Sequence, residues 1–270
     1  MSSSTKISIV TICFNAVKDL EKTIRSVKAQ TYDNIEYIIV DGGSKDGTLD
    51  VIRCNNDCIS KYISEHDKGI YDAMNKGIDL ATGEWIIFMN AGDLFYKNDV
   101  VEKLMSKDYS PNTAIVYGDV ELDFGKAGKL IKSLRRIDKD SVATELCHQA
   151  VMTRADVLKQ IKYDISFRIM ADLNSFVTIY NNGYSFEYVP IIFATFEVTG
   201  GISSTKPLKS FKEMCRVKGI ESYSLQYLKS FILALNKTFM LYVLPKDIYD
   251  RIRYKKVSSI KIYKPNESDY

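Results

Sequence analysis

Apolar runs separated by polar turns divide the first 120 residues into strands that alternate with helices. The β-rich run 6–13 predicts a buried first strand, and apolar residues at helical spacing follow from Val17 to Val27, with Asn15 placed to cap that helix. The other elements predicted in this region are strands at 35–40, 59–63, 84–90 and 114–120, and helices from Thr48, at 71–80 and at 98–106. This alternation predicts βαβ units, an α/β fold and a mostly parallel central sheet flanked by helices.

The pattern changes beyond residue 120. The predicted elements there are extended segments at 129–137 and 147–153, helices at 154–160 and 171–182, and strands near 184–190 and 191–197. Basic amphipathic helices are predicted beyond Ser204, because Lys residues are mixed with aromatic residues and Leu. The predicted organisation is an α/β domain at 1–203, with halves at 1–120 and 121–203, followed by a helical extension at 204–270.

Four polar clusters follow the predicted strands: Thr11 to Asn15, Asp41 to Thr48, His66 to Asn75, and Asn90 to Asp93. Because the carboxyl ends of parallel strands meet at one edge of a sheet, these clusters should line a shared cleft. The turn after the first predicted strand has no glycine, so the chain lacks the G-x-G-x-x-G fingerprint of dinucleotide-binding folds. A phosphate-binding P-loop and a G-x-S-x-G hydrolase motif are also missing.

Composition and charge narrow the class of protein further. With 46% hydrophobic and 26% charged residues, the chain can build a core, which excludes a disordered or collagen-like protein. The net charge of +3 is too small to indicate nucleic-acid binding, but residues 206–270 contain 14 Lys and Arg against 6 Asp and Glu, a net +8. The five scattered cysteines include no C-x-x-C pair. No signal peptide or spanning apolar run is visible, so a cytoplasmic location is expected.

Two aspartates at strand ends are candidates for chemistry. Asp93 follows the apolar run 85–89, where a carboxylate can hold Mg²⁺ or Mn²⁺ while a substrate diphosphate completes the oxygen ligands. The alternative for Asp93 is an N-cap of a helix at 94–106. Asp41 could accept a hydrogen bond from a base or ribose, and its alternative is the Asp of an Asx turn.

Three segments together resemble the nucleotide-sugar half of family 2 glycosyltransferases: Val10 to Asn15, Ile39 to Thr48, and Phe88 to Asp93. The resemblance covers roughly residues 5–203 and implies the GT-A fold, a Rossmann-like α/β architecture, and transfer that inverts the anomeric centre. It also implies a donor half at 1–120, which binds the nucleotide sugar, and an acceptor half at 121–203, which supplies the base. The segment Asp67 to Gly77 is similar to a branch associated with bacterial capsule, O-antigen and exopolysaccharide assembly.

The resemblance also implies roles for individual residues. Those assigned to the nucleotide-sugar site are Thr11, Asn15, Asp41, Asp67, Lys68, Asn75, Ala91 and Gly92. The first three match positions that line the nucleoside pocket, and Lys68 can neutralise phosphate charge. For Asn75 the alternative is an exposed helix position, and Asp72, one turn earlier, is placed as a first-turn cap.

The metal motif departs from the family pattern. The usual Asp-x-Asp is replaced by Asn90 and Gly92, which leaves Asp93 as the carboxylate of this turn. The resemblance therefore implies dependence on Mn²⁺ or Mg²⁺, with weak affinity for the free metal.

Inverting transfer needs a base that removes a proton from the acceptor hydroxyl. Asp172 matches the family position that supplies this base, and the alternative is that it caps the helix at 171–182. His148, with Gln149 beside it, matches a position near the donor phosphates or the acceptor; the alternative for His148 is a core residue with satisfied hydrogen bonds.

The sequence therefore predicts an inverting glycosyltransferase of bacterial surface-polysaccharide synthesis. Its expected donor is a nucleotide-diphosphate sugar, by default a UDP-sugar, and its expected acceptor is a saccharide or polyprenyl-linked saccharide. The basic helices are expected to bind the cytoplasmic face of the inner membrane, and the alternative is ordinary packing on the domain. The competing functions are a nucleotidyltransferase, which should show a Gly-rich first turn, and a catalytically silent nucleotide-sugar or membrane-binding module.

Overall fold

The computed structural model describes residues 4–134, 142, 146–222 and 224–260. The strands in this part of the chain are β1 Ile7–Cys13, β2 Ile35–Asp41, β3 Lys61–Ser64, β4 Trp85–Phe88, β5 Leu94–Phe95, β6 Thr113–Asp123, β7 Lys129–Lys132, β8 Val151–Arg154 and β9 Ser185–Glu197. The helices are α1 Val17–Lys28, α2 Thr48–Cys54, α3 Ile70–Leu80, α4 Val100–Met105, α5 Ala155–Ile161, α6 Ala171–Asn181, α7 Ile202–Thr205, α8 Pro207–Lys218, α9 Leu225–Val243 and α10 Lys246–Ser259.

The strands form one mixed sheet in the order β3-β2-β1-β4-β8-β6-β9-β5, with β7 paired to β6. Strands β3, β2, β1 and β4 are parallel, as the alternation of strands and helices predicts. Strand β8 runs antiparallel to both β4 and β6, and it joins this parallel unit to the parallel pair β6 and β9. The predicted α/β class, with a sheet flanked by helices, is confirmed.

Alternate residues of β1 show why both faces of the sheet are covered. Ile9 belongs to the same core cluster as Leu20 of α1, whereas Val10 belongs to the cluster of Met74 in α3, and all four are fully buried. With helices on both faces, polar groups can meet solvent only at the ends of the strands. In α/β sheets covered in this way, ligands bind at the carboxyl ends of the strands.

The region 184–197 differs from the prediction of two strands, because it forms the single strand β9. Its pairing with β6 is irregular: Tyr117 pairs with Tyr188, but Asp119 pairs with Ile192, so β9 carries extra residues between the two pairs. Proline is tolerated in strands at such bulges, and Pro190 lies in this one. The sequence prediction took this local interruption for the boundary between two strands.

Two smaller corrections concern the ends of elements. Helix α1 begins at Val17 without a side-chain cap, so the predicted capping by Asn15 is wrong. The predicted extended segment at 147–153 starts with a 3-10 turn at His148–Ala150, and β8 follows it. The predicted segment 129–137 continues past β7 into residues 135–137, which lie outside the described residues.

The predicted helices beyond Ser204 are present and contact the α/β domain. The Arg216 guanidinium of α8 lies 3.9 Å from the ring centroid of Phe167, and the ring of Tyr254 in α10 meets Phe124 edge-on at 5.7 Å. Helix α9 packs mainly on α8. Within the residues that the structure describes, no helix is both long enough and apolar enough to cross a membrane.

Candidate active site

The loops that follow β1, β2, β3 and β4 meet at the carboxyl edge of the sheet. The backbone N–H groups of Gly42 and Ala91 both donate to carbonyl oxygens at the end of β1, with N–O distances of 2.9 and 3.1 Å. The loop after β3 is joined to them because the Ser64 hydroxyl donates to the Asp41 carboxylate at 2.6 Å. The polar clusters seen in the sequence therefore share one edge of the sheet.

A chain of buried and partly buried polar side chains occupies the centre of this edge. The Asp172 carboxylate lies 3.2 Å from Nδ1 of His148. On the other side of the imidazole, Nε2 lies 2.9 Å from the amide nitrogen of Asn90 and 3.9 Å from the Asp93 carboxylate. His148 therefore connects a carboxylate at the end of β4 with a carboxylate at the start of α6, and the structure brings all three predicted residues together.

Asp172 is held from a second side by Tyr71 of α3. The Tyr71 hydroxyl oxygen lies 2.9 Å from Oδ1 of Asp172 and 2.6 Å from the carbonyl oxygen of Ile169. Burial and the charge of Asp172 raise the pKa of Tyr71, which keeps its hydroxyl protonated and able to donate. Sequence reasoning missed Tyr71, because its spacing in α3 is that of an ordinary buried aromatic residue.

Negative charge is in excess at this site. Burial raises the pKa of Asp93 to about 6, and the charge of His148 and the side chain of Gln149, 3.5 Å away, offset that effect only in part. Burial lowers the pKa of His148, but the hydrogen bond and charge of Asp172 outweigh it, so the net shift is upward. One imidazole thus faces two carboxylates, and the site favours an additional positive charge.

Asp93 is positioned by a turn that fixes the end of β4. Gly92 has a φ of +103°, which favours glycine, and its N–H donates to the Thr23 hydroxyl at 2.9 Å. Strand β5 follows directly and α4 begins at Val100, so Asp93 is not the N-cap that the sequence allowed as an alternative. Its carboxylate instead faces His148 and Gln149.

Few protein oxygen atoms at this turn could hold a metal ion. The side-chain oxygen of Asn90 is buried and has no hydrogen-bond partner among the described residues. Across 4–134, 142, 146–222 and 224–260, no group of three or more His, Cys, Asp or Glu side chains could hold a metal. The Asp93 carboxylate and the Asn90 amide oxygen nevertheless suit a hard cation that takes its other ligands from a substrate.

The residues predicted to line the nucleoside pocket make internal hydrogen bonds. Thr11 is fully buried and donates to the Met89 carbonyl oxygen at 2.7 Å, so its side chain cannot reach a nucleoside. Asp41 is also fully buried and accepts from the N–H of Gly43, two residues on, at 3.2 Å, which is the Asx-turn alternative. Asn15 is exposed and accepts from the N–H of Lys45 at 3.0 Å, joining the first two loops.

The remaining residues predicted for the donor site lie around α3. Lys68 is exposed, and its backbone N–H donates to the Asp72 carboxylate at 2.9 Å, which ties the first turn of α3 to the preceding loop. The Asp67 carboxylate forms an ion pair with a lysine of α3. Both groups of the Asn75 amide bond the backbone of Tyr163, at 2.8 and 2.9 Å, so Asn75 joins α3 to the acceptor half instead of facing a nucleotide.

Comparison with known sequences reveals a family. The model of glycosyl transferase family 2 matches residues 8–182. A PGL/p-HBAD biosynthesis glycosyltransferase of Mycobacterium bovis is 30% identical over 214 residues, which cover 76% of this chain and 81% of the relative. An uncharacterized glycosyltransferase of Mycobacterium tuberculosis is 42% identical over 102 residues, 37% of this chain and 39% of that protein.

Solved structures show the same fold at low sequence identity. S. aureus TarS 1-349 in complex with UDP has a TM-score of 0.65 and 15% identity, and the match covers 87% of this chain and 72% of that chain. The mannosyltransferase PcManGT from Pyrobaculum calidifontis, in complex with GDP-Man and Mn²⁺, has a TM-score of 0.63 and 13% identity, covering 99% of this chain and 78% of that one.

Proposed function

Because the chain belongs to glycosyl transferase family 2 and is a glycosyltransferase, we propose that it is an inverting enzyme of bacterial surface-polysaccharide synthesis. It transfers a sugar from a nucleotide-diphosphate donor to a saccharide or lipid-linked saccharide. The observation that carries the proposal is the chain of contacts from Asp93 through His148 to Asp172, since it links a candidate metal carboxylate to a candidate base. A UDP-sugar is the proposed donor, which the UDP complex of TarS supports.

Asp172 is the proposed general base. Its carboxylate removes the proton from the acceptor hydroxyl while the nucleoside diphosphate leaves from the opposite face of the sugar. His148 and Tyr71 contact different oxygens of this carboxylate, which fixes its orientation. Both ring nitrogens of His148 are engaged, by Asp172 and by Asn90, so the imidazole is better suited to hold the base than to replace it.

A divalent cation, Mn²⁺ or Mg²⁺, is the proposed cofactor. The Asp93 carboxylate and the unpartnered Asn90 oxygen would hold it together with the donor diphosphate. Bound there, the cation supplies positive charge that stabilises the leaving diphosphate. With so few protein ligands, the metal should bind tightly only when the nucleotide is present. The exposed Lys68 is proposed to add a further positive charge beside the phosphates.

A donor screen tests this function. The protein is first screened by thermal shift against UDP, GDP, dTDP and CMP with Mn²⁺, and then incubated with the matching nucleotide sugars while release of the free nucleotide is measured. We expect stabilisation and release with one nucleotide class, both dependent on metal. Stabilisation by a nucleotide without release from any of its sugars, with saccharide acceptors present, would instead identify a catalytically silent binding module.

We also propose that α9 and α10 lie on an anionic membrane surface. One face of α9 is apolar and exposed over its whole length, through Leu225, Leu228, Ile232, Leu235, Phe239 and Tyr242. On α10, exposed Ile248 and Ile252 are accompanied by exposed Arg251 and Lys255. An apolar face with basic neighbours suits the boundary between lipid headgroups and acyl chains, where each Lys or Arg contributes about 1 kcal/mol.

The charge around α9 supports an anionic partner. Residues 206–270 carry a net charge of +8, and Arg251, Lys255 and Lys256 are exposed on α10. Acidic headgroups attract such charges. The proposed occupant is therefore a membrane containing acidic lipids, and not an uncharged apolar partner.

Vesicle sedimentation tests the membrane proposal. The parent protein should bind phosphatidylglycerol vesicles and lose most of that binding when Ile232→Ser and Phe239→Ser are combined. Tyr62→Ser removes an exposed aromatic residue from β3 and should change nothing. Equal vesicle binding by all three proteins would contradict the proposal. A concentration-dependent dimer that only the double variant abolishes would point to a second copy of the chain.

A further inference from the structure

A buried carboxylate lies on α8, outside the site described above. Glu213 is 6% exposed, although the same helix presents exposed lysines such as Lys212 to solvent. Its side chain points toward the α/β domain and meets the segment 168–170, which leads directly into α6. A carboxylate is rarely buried this completely unless it is paired or hydrogen-bonded.

Three consecutive backbone N–H groups donate to this carboxylate. Oε1 of Glu213 accepts from Arg168 at 3.0 Å, and Oε2 accepts from Ile169 at 2.8 Å and from Met170 at 3.0 Å. Helix α6 has no side-chain cap of its own at Met170. Glu213 therefore provides acceptors, and a negative charge, at the amino terminus of the helix that carries Asp172.

The donor half holds the same segment from the other side. The Tyr71 hydroxyl contacts the Ile169 carbonyl oxygen at 2.6 Å, and the Arg168 guanidinium donates to the carbonyl oxygen of Lys68. Residues 168–170 are thus fixed between the donor half and α8. Their position decides where α6 begins, and Asp172 is the second residue of that helix.

We propose that Glu213 is a positioning residue for glycosyl transfer, acting through the backbone of residues 168–170 to hold Asp172 where it can reach the acceptor hydroxyl. This inference rests on the proposed role of Asp172 and adds a role for the helical extension, which supplies a group to the active site. Glu213 does not touch the substrate. It sets the geometry of the base, and small errors in that geometry are costly for catalysis.

The test compares Glu213→Gln with Lys212→Gln, a matched change at the neighbouring exposed residue. Glutamine keeps the size of Glu213, but its NH₂ group cannot accept from the backbone N–H groups. We expect Glu213→Gln to lower turnover by roughly 10- to 100-fold, with the donor dissociation constant within about twofold of the parent value. Amide hydrogen exchange in peptides covering 166–175 should become faster, and Lys212→Gln should alter neither measurement.

Each alternative outcome has a definite meaning. Equal losses of donor affinity and turnover, or unchanged turnover with a lower melting temperature, would show that Glu213 serves stability alone. Glu213→Asp keeps the charge and should recover part of the turnover; if neither variant folds, the positioning role is overturned. If the parent protein shows no turnover, the proposed function is contradicted. The contact of Glu213 with residues 168–170 can still be measured in that case, because hydrogen exchange does not depend on the reaction.

Discussion

Two buried carboxylates at opposite ends of the central strands have opposite environments. Glu36, near the amino end of β2, accepts from the Ser8 hydroxyl at 2.6 Å, the N–H of Thr82 at 2.6 Å and the Lys61 ammonium at 2.8 Å. Burial by itself raises the pKa of Glu36, but these hydrogen bonds outweigh it and lower the pKa to about 2. This end of the sheet stabilises its carboxylate as an anion.

Asp93, at the other end of the sheet, lacks comparable donors. Its carboxylate has a 3.5 Å contact with Gln149 and a 3.9 Å approach to His148, and burial raises its pKa to about 6. Both carboxylates are buried, but Glu36 has strong hydrogen-bond donors and Asp93 does not; this lack of donors, together with the greater desolvation of Asp93, separates their pKa values. The amino end of the sheet is arranged for stability, whereas the carboxyl end leaves charge available for a ligand.

The largest expected effect is a loss of turnover at the carboxyl end of the sheet, caused by Asp172→Asn. We expect turnover to fall by roughly 10² to 10⁴, because Asn retains an oxygen for the Leu173 N–H but cannot take a proton at neutral pH. Donor affinity and melting temperature should change little. The measurements are steady-state release of nucleoside diphosphate and donor titration, with Asp50→Asn, an exposed carboxylate of α2, as the control. If His148→Ala abolishes transfer while Asp172→Asn keeps near-normal turnover, Asp172 is not the base.

A stability effect is expected at the amino end, from Glu36→Gln. At pH 7 the free energy of unfolding should fall by about 2–3 kcal/mol, since the substitution removes a well-bonded buried anion and takes the paired carboxylate away from the Lys61 ammonium. Nucleotide binding should be unchanged. Chemical denaturation measures the free energy of unfolding, and titration measures nucleotide binding. Glu21→Gln, at a half-exposed carboxylate, is the control. A loss of nucleotide binding in Glu36→Gln would remove the distinction between the two ends.

The pH dependence of the same variant sharpens that distinction. Because the pKa of Glu36 is lowered on folding, its stabilisation is complete above the ordinary value of 4.5 and is lost as the pH falls toward 2. The difference in unfolding free energy between the parent protein and Glu36→Gln should therefore shrink between about pH 5 and pH 2. Denaturation curves across this range measure it, and a difference independent of pH would show that the Glu36 anion is not the source of stability.

The smallest change in the free energy of unfolding is expected for Asp93→Asn in the absence of metal. Its sign is opposite to that of Glu36→Gln. Removing a poorly bonded buried anion should raise the free energy of unfolding at pH 7 by about 1 kcal/mol. The same variant should lose the Mn²⁺-dependent part of the stabilisation by nucleotide, since it removes the carboxylate proposed to hold the metal. Chemical denaturation measures the first quantity, and thermal shift by nucleotide with and without Mn²⁺ measures the second. Destabilisation of the metal-free protein, or unchanged Mn²⁺-linked nucleotide stabilisation, would contradict the assignment.

The sequence predicts those parts of the protein that depend on local pattern. Apolar periodicity was sufficient to predict β1, α1 and the parallel unit of β3, β2, β1 and β4. The polar turn after β4 was sufficient to single out Asp93 as a candidate. Thr11 and Asn75 were misjudged because position in a motif does not reveal whether a side chain is already hydrogen-bonded; Thr11 contacts Met89 and Asn75 contacts Tyr163.

Long-range pairs explain what sequence reasoning missed. Tyr71 lies 101 residues from Asp172, and Glu213 lies 45 residues from Arg168, so no local spacing records either contact. Both residues occupy helix positions that ordinary packing would also explain. Their roles become visible only when separate segments are brought together, whereas the strands and helices themselves are determined within windows of about ten residues.

The central place of β8 in the sheet has a consequence for biosynthesis. The strand lies between β4 and β6, and its residues Met152 and Thr153 pair with both neighbours. On the ribosome, the first four strands emerge well before residues 151–154, so the apolar edge of β4 stays open while about 60 further residues are synthesised. The nascent chain therefore passes through a stage that is sensitive to aggregation, and chaperone supply or slower translation should raise the yield of folded protein.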